Sequence, residues 1–127
     1  MNEPIKKIAV LTSGGDAPGM NAAIVAVTKT AVANGWRVIG VEDGYDGLID
    51  GRVIDLTPST VDDLNREGGT FLRSARSERF RTEKGRAQAA RNLAGVTTLV
   101  VIGGNGSSRL IVVRITINDF TTLHTLH

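Results

Sequence analysis

Two short apolar runs that each lead into a pair of glycines constrain the fold most strongly. The first run covers residues 8–11, and its glycine pair follows at residues 14–15. The second covers residues 97–102, and its glycine pair follows directly at residues 103–104. Such runs, without polar alternation, are typical of strands buried on both faces, as in a parallel sheet. A glycine turn at the end of a buried strand allows the backbone to approach a ligand closely.

Extended and helical patterns alternate between these two runs. The Ala-rich segment after the first glycine turn has Ile24, Val27 and Ala31 on one helical face, and Asn34 with Gly35 forms a plausible helix end. The predicted elements are strands at 8–11, 36–41, 53–56 and 97–102, and helices at 20–33, 61–66 and 82–94.

This alternation predicts an α/β fold with an open, mostly parallel, Rossmann-like sheet and helices on both faces. Ala87, Ala90 and Leu93 have core spacing on the last helix, and the glycine-rich segment 44–51 is predicted as irregular chain between two strands.

The last part of the chain differs in character. Residues 110–117 are almost all β-branched and predict a further strand. A parallel neighbour needs a crossover of about a dozen residues, and far fewer separate this segment from the preceding strand. The tail after it has no periodicity. We therefore divide the chain into an α/β domain at 1–108 and a divergent tail at 109–127.

Composition excludes several classes of protein. A chain of 127 residues fits one domain, and with no cysteine it has no disulfide scaffold and no thiol nucleophile. The net charge of +2 requires no nucleic acid, no apolar run is long enough to span a membrane, and the first residues do not form a secretory signal. We expect a cytoplasmic protein.

The glycine loops are candidate phosphate sites, because backbone N–H groups at the carboxyl ends of parallel strands can approach phosphate oxygens. Packing alone also accounts for a single such turn, and neither loop matches the P-loop or the GxGxxG motif. Eight basic residues between Arg66 and Arg91 form either a solvated helix face or an anion site. Within them, Arg73 or Arg76 is a candidate clamp for a polyphosphate; the alternative is a surface loop with solvated arginines.

Residues 11–23, Leu-Thr-Ser-Gly-Gly-Asp-Ala-Pro-Gly-Met-Asn-Ala-Ala, resemble the opening of the ATP-dependent 6-phosphofructokinase family. The resemblance covers residues 6–107. It implies that the α/β domain at 1–108 is a nucleotide-binding domain and a partial, truncated form of the family's fold. The later motifs follow in the family's order at residues 43–48, 68–72, 74–76, 84–86 and 100–104.

The resemblance implies a glycolytic, allosteric phosphotransferase of the cytoplasm that moves the ATP γ-phosphoryl group to the C1 hydroxyl of fructose 6-phosphate. It implies ATP and Mg²⁺ as cofactors, a homotetramer, and no nucleic acid or membrane partner. A glycine at position 106 goes with ATP rather than diphosphate in the family. The implied ATP-binding residues are Gly15, Tyr45, Arg76, Ser77, Gly104, Asn105, Gly106 and Ser107.

Several positions depart from the family. The aspartate that helps to hold magnesium is Asn105 here, which keeps an oxygen ligand but loses the negative charge. The resemblance stops after Ser107, so no catalytic base is aligned, and Asp119 is a weak candidate for that role. Of the effector-site positions, only Lys29 keeps a positive charge. The family's sugar site and second domain are not matched.

Three interpretations therefore remain open. The chain is the ATP-side portion of a 6-phosphofructokinase with little activity alone, a non-catalytic nucleotide-binding or regulatory module, or a truncated product without function.

Overall fold

The computed structural model of the chain describes residues 6–14, 19–66, 71–73, 77–104 and 110–116. Five strands form one sheet in the order β3-β2-β1-β4-β5, and four helices pack against it. The strands are β1 Lys7–Ser13, β2 Arg37–Val41, β3 Val53–Leu56, β4 Thr98–Gly104 and β5 Leu110–Thr116. The helices are α1 Met20–Ala33, α2 Gly44–Asp50, α3 Pro58–Asn65 and α4 Glu83–Asn92, and a 3-10 turn covers Arg79–Arg81.

The open α/β fold expected from the sequence is confirmed, and its sheet is mixed. The central strand β1 pairs in parallel with both β2 and β4. Both edge strands run antiparallel to their neighbours, with Val38 opposite Leu56 in β3 and Gly104 opposite Leu110 in β5. For β5 the short connection from β4 explains this, because an antiparallel neighbour does not need the long crossover of a parallel one.

Helices α1 and α3 cover one face of the sheet. Ile24 and Ala31 of α1, as predicted, are buried against strand residues such as Val10 and Ile102. Val27 is only partly buried on the same cluster, and Val61 of α3 completes the cover. Ile24 and Ala31 are seven residues apart and therefore lie on the same face of the helix, two turns from each other.

Helices α2 and α4 cover the other face, so the prediction of helices on both faces holds. Leu48 packs there with Ala89 and Leu93 of α4 against the sheet. The predicted core spacing of α4 is partly wrong: Ala87 and Ala90 are only half-buried, whereas Ala89 is fully buried. The buried face of α4 is therefore centred on Arg86 and Ala89, one position away from the predicted Ala87 and Ala90.

The main secondary-structure error concerns residues 44–51, which form helix α2 rather than an irregular connection. Glycine-rich composition argues against a helix on propensity, but tertiary contacts hold this one. A Cβ at Gly47 would overlap the backbone carbonyl of Glu42. The helix ends at Gly51, which has a φ of 74°, a conformation that suits glycine. Close packing explains Gly47, and the left-handed backbone conformation explains Gly51.

Capping residues set the starts of α3 and α4. The Thr57 hydroxyl accepts the backbone N–H of Thr60 at 3.1 Å, and the Thr82 hydroxyl accepts that of Gly85 at 3.0 Å. Helix α3 begins at Pro58, earlier than the predicted residue 61, because proline fits the first helical turn.

Strand β5 forms an edge of the sheet, and its apolar side chains are largely exposed, with 51% of Val112 accessible. The proposed domain boundary at 108–109 stays a prediction. Among the described residues, no helix is both long enough and apolar enough to cross a membrane.

Candidate functional site

The carboxyl ends of the three parallel strands lie side by side, because β1 is paired to β2 on one side and to β4 on the other. Gly103 near the end of β4 lies opposite Ser13 of β1, and a Cβ built on this glycine would lie 3.1 Å from the Ser13 carbonyl oxygen. Gly14, directly after β1, has a φ of 77°. The two glycine turns thus begin next to each other, as the sequence predicts.

Residues 71–73 cross the ends of β1 and β2 and are held by backbone groups and by polar side chains. The Thr12 hydroxyl donates to the Arg73 carbonyl at 2.8 Å, and the Asp43 N–H donates to the Leu72 carbonyl at 2.9 Å. The Phe71 N–H donates to the Asn21 side-chain oxygen at 3.2 Å. With Leu72 fully buried, this segment is fixed in place at the strand ends.

Asp43 and Arg73 both have a positive φ, 62° and 58°, which is uncommon for residues with a Cβ. Their side chains form an ion pair with 3.3 Å between Arg73 Nε and an Asp43 carboxylate oxygen. Asp43 also accepts from Arg52 at 3.0 Å. The charge pairs and the backbone bond to Leu72 hold this strained corner, which lies where a ligand at the strand ends would sit.

Tyr45 lies in the first turn of α2, just after β2. Its ring stacks on Phe80 with 4.1 Å between centroids and 20° between planes. Burial raises the pKa of the Tyr45 phenol above its ordinary value, so the phenol is neutral at pH 7. One face of this aromatic ring is therefore covered by Phe80.

Ser77 is joined to α2 by its hydroxyl group. Ser77 Oγ donates to Asp46 Oδ1 at 3.0 Å and accepts the backbone N–H of Phe80 at 3.1 Å. These two bonds tie the 3-10 turn to the helix that carries Tyr45. The structure thus brings together two of the implied ATP-binding residues through Asp46 and Phe80.

An ionic chain follows the same helix. Arg79 binds both carboxylate oxygens of Asp50, at 2.8 and 3.0 Å, and its Nε donates to Asp46 at 3.2 Å. Arg52 links Asp50, at 3.3 Å, to Asp43. The Arg79 hydrogen bond is the main cause that lowers the pKa of Asp50 to about 2. Asp50 is thus charged at neutral pH, and both carboxylates of α2 are paired with Arg79.

Of the sequence-predicted site residues, the structure describes Tyr45, Ser77 and the backbone of Gly104, the last residue of β4. The others lie outside the described residues: Gly15, Arg76, Asn105, Gly106, Ser107 and Asp119.

The metal-binding role given to Asn105 likewise stays a prediction. In the described segments, no group of three or more His, Cys, Asp or Glu side chains is placed to hold a metal ion.

In the described part of the arginine-rich segment, several arginines make contacts within the chain, whereas Arg81 and Lys84 are exposed. The choice between a solvated face and an anion site stays a prediction. Arg73 and Arg79 are paired with aspartates, as above. Arg86 is buried and donates to the carbonyls of Phe80 and Arg81, at 3.2 and 2.7 Å. Lys29, the one charged effector-site position, pairs with Asp62 at 3.1 Å. Of these cations only Arg86 is buried, and the ion pairs of the other three are partly exposed to water.

Sequence reasoning missed two residues that support the site. Asn92, on α4, donates its amide hydrogens to the carbonyls of Leu48 and Ile49, at 2.8 and 2.9 Å, and so fixes the end of α2. Thr12 reaches the segment at Arg73. Nothing in spacing reveals such contacts, because each joins residues far apart in the chain.

Comparisons with known proteins agree with this geometry. The phosphofructokinase family model matches residues 7–115. The ATP-dependent 6-phosphofructokinase of Clostridium botulinum (strain Hall) is 54% identical over 105 residues, which cover 81% of this chain and 33% of that protein. The enzyme of the same name from Clostridium tetani is 55% identical over 105 residues, with the same coverage of 81% and 33%.

Solved structures give the same result. Phosphofructokinase from Saccharomyces cerevisiae has a TM-score of 0.73 and 49% identity, covering 80% of this chain and 14% of that one. Pichia pastoris phosphofructokinase in the T-state has a TM-score of 0.71 and 44% identity, covering 80% of this chain and 11% of that one. The chain spans about a third of the length of the curated relatives that it matches.

Proposed function

The chain belongs to the phosphofructokinase family, and we propose that it carries the ATP-binding part of an ATP-dependent 6-phosphofructokinase. The proposed reaction of the whole enzyme is transfer of the γ-phosphoryl group of ATP to the C1 hydroxyl of fructose 6-phosphate. By the same resemblance, the whole enzyme is a homotetramer of the cytoplasm.

The observation that carries the proposal is the shared edge at the carboxyl ends of β1, β2 and β4. The glycine turns after β1 and β4 begin there, with Gly103 packed against the Ser13 carbonyl. Ligands of open α/β sheets bind at this kind of edge, and a side-chain-free backbone lets N–H groups reach phosphate oxygens. This edge therefore suits a nucleotide polyphosphate.

Within this proposal, Tyr45 lies on the nucleoside side of the site. Because Phe80 covers one face of its ring, a base would have to stack on the other face. The Ser77 hydroxyl is engaged by Asp46 and Phe80, so its contact with ATP comes from its backbone. Gly15, Arg76 and residues 104–107 would position the phosphates and neutralise their charge, as the family resemblance implies.

Magnesium fits this donor set only in part. Glu42 and Asp43 are carboxylates at the end of β2, but both pair with Arg73, at 3.8 and 3.3 Å. The family position for a magnesium ligand holds Asn105, a neutral amide. Mg²⁺ commonly keeps several waters and binds through substrate phosphates with one or two carboxylates. When bound, it would neutralise phosphate charge, and Asn105 would hold it less well than an aspartate.

The experiment is calorimetric titration of the 127-residue chain with ATP, with and without magnesium. We expect ATP to bind, and magnesium to strengthen binding by less than tenfold, or about 1.4 kcal/mol. Tyr45→Ala should weaken ATP binding by about tenfold, since stacking of a base on an aromatic ring is worth ~1–3 kcal/mol. Arg37→Ala, which removes an exposed ion pair to Asp55, is the matched control and should bind as the unchanged chain does.

Asn105→Asp should increase the dependence on magnesium. Failure of the unchanged chain to bind ATP would refute the proposed function. A tenfold gain from magnesium with Asn105 in place would refute only the weakened metal site.

We further propose that these 127 residues alone do not catalyse the phosphoryl transfer. The family's catalytic aspartate and sugar site are not matched here, and a general base alone is worth ~10²–10⁴ in rate. Formation of fructose 1,6-bisphosphate by the purified chain is the assay, and Asn105→Asp should leave it inactive. Activity in the unchanged chain would overturn this and make Asp119 the first residue to test as the base.

A second candidate is a non-catalytic nucleotide-binding module, which the neutral Asn105 favours. The assay distinguishes the two when a family continuation is joined after Ser107: recovered turnover supports the enzyme, and binding without turnover supports the module.

A further inference from the structure

Arg79 makes four hydrogen bonds to helix α2 near the candidate site, yet it lies outside every motif of the family resemblance. Its guanidinium donates to both oxygens of Asp50, to Asp46 Oδ1, and at 3.5 Å to the Asp46 carbonyl. Most of its five N–H donors are therefore directed at α2. A guanidinium bonded in this way has no remaining pair of N–H donors with which to bind a phosphate group.

The partner of Arg79 leads directly to the proposed nucleotide site. Asp46 Oδ1 accepts both from Arg79 Nε, at 3.2 Å, and from the Ser77 hydroxyl, at 3.0 Å. Ser77 in turn accepts the N–H of Phe80, whose ring stacks on Tyr45. The orientation of one carboxylate thus links the guanidinium to the residues that face the nucleotide.

Charge supports the same role. Asp46 and Asp50 lie on one short helix beside a site for a polyanion, where unpaired carboxylates would repel phosphate groups. Arg79 pairs with both, and Arg52 pairs with Asp50. The side chain of Asp46 is 28% exposed, so its pairing is only partly screened by water.

We infer that Arg79 is a positioning residue for nucleotide binding, which holds Asp46 so that the Ser77 turn and the Tyr45–Phe80 stack keep their binding geometry. The inference rests on the proposed function, because it concerns ATP at the same site. It adds a residue to that site without a direct contact to ATP.

A double-mutant cycle on the 127-residue chain tests the inference, with ATP affinity measured by calorimetry and folding by thermal melting. Arg79→Ala should weaken ATP binding by about fivefold or more, the size of a typical coupling between sites. In the Ser77→Ala background, the same substitution should weaken it by less than about twofold, because the link through Ser77 is already broken. Arg37→Ala, which breaks an exposed Arg–Asp pair at the opposite end of β2, is the control and should leave affinity unchanged.

Arg79→Lys tests the geometry while it keeps the charge. A single ammonium cannot reproduce the planar fork across two carboxylates, so we expect only partial recovery of affinity. This variant also decides the cycle if Arg79→Ala does not fold.

Three results separate the possibilities. An unchanged chain that binds no ATP refutes the proposed function itself. Normal ATP binding by the unchanged chain and by Arg79→Ala refutes only the positioning role. An equal loss from Arg79→Ala with and without the Ser77 hydroxyl also refutes it, since Arg79 would then act independently of Ser77.

Discussion

Replacement of Asn92 by alanine should destabilise the fold by about 2 kcal/mol. The Asn92 amide donates to the carbonyls of Leu48 and Ile49, at 2.8 and 2.9 Å, where α2 ends and its last carbonyls have no helical partner. A neutral hydrogen bond contributes about 1 kcal/mol on balance, and an acceptor left unsatisfied in a buried place costs more. The Leu48 carbonyl keeps a second donor, the N–H of Gly51 at 3.2 Å, which limits the loss there.

Two lost bonds, one of them partly compensated, therefore give the estimate of about 2 kcal/mol. For a domain of this size that corresponds to a fall of roughly 6–10 °C in the melting temperature. Urea denaturation followed by circular dichroism measures it, and the midpoint should fall with an unchanged m-value.

Asn34→Ala is the matched control. Asn34 also donates its side-chain amide to a backbone carbonyl, that of Thr30 at 2.8 Å, but this bond is exposed at the end of α1. Loss of an exposed bond is offset by water, so the expected change is within about 0.5 kcal/mol. Equal midpoints for the two variants would refute the reasoning, because burial of the α2 end would then contribute nothing.

Three further predictions concern single side chains. Thr28→Val should stabilise the fold by about 1 kcal/mol in urea denaturation, because the fully buried hydroxyl of Thr28 has no hydrogen-bond partner among the described residues. Gly47→Ala should shift the melting midpoint down by more than any surface substitution, since the new Cβ would overlap the Glu42 carbonyl. In Arg79→Ala, the pKa of Asp50, now about 2, should rise toward its ordinary range in an NMR titration. The lowered pKa of Asp50 stabilises the folded state at pH values above about 3.9, the pKa of an unfolded aspartate. This contribution is lost as the pH falls through the folded pKa of about 2. The two proteins should therefore differ most in stability near neutral pH and least below about pH 2.

The order of strands and helices could be predicted because each long element has a pattern of its own. Helix α1, Met20–Ala33, matches the predicted bounds, and β3, Val53–Leu56, does as well. The β-branched run of β5 and its short connection were enough to exclude a parallel pairing with β4. In each of these elements, local composition and the global fold favour the same conformation.

Helix α2 could not be predicted, because its glycines favour irregular chain and only distant residues hold it. The Asn92 amide lies more than forty positions away from the carbonyls that it binds. Gly47 is required by the closeness of Glu42, a contact that propensity does not describe. Tertiary packing overrides helix propensity here.

The candidate site likewise has a part that the sequence predicted and a part that it did not. Glycine turns after buried strands predicted its place, since that follows from sheet topology alone. The sequence also showed a cluster of arginines, but not that Asp43, Asp46 and Asp50 would pair with Arg73 and Arg79. Sequence distance separates the two groups by about thirty positions, as in the pairs of Arg79 with Asp46 and of Arg73 with Asp43.

This neutralisation changes how the site can attract a polyphosphate. The ionic chain holds three guanidiniums, of Arg52, Arg73 and Arg79, against four carboxylates, of Glu42 and the three aspartates that the arginines bind. These seven side chains sum to a charge of −1, so the ionic chain itself does not attract an anion. Attraction must therefore come from backbone N–H groups at the glycine turns and from cations beyond the ionic chain, while the chain itself keeps the aromatic and serine contacts in place. Binding and positioning are thus separate tasks of separate residues, and substitutions in the ionic chain should act through geometry rather than through the loss of a phosphate ligand.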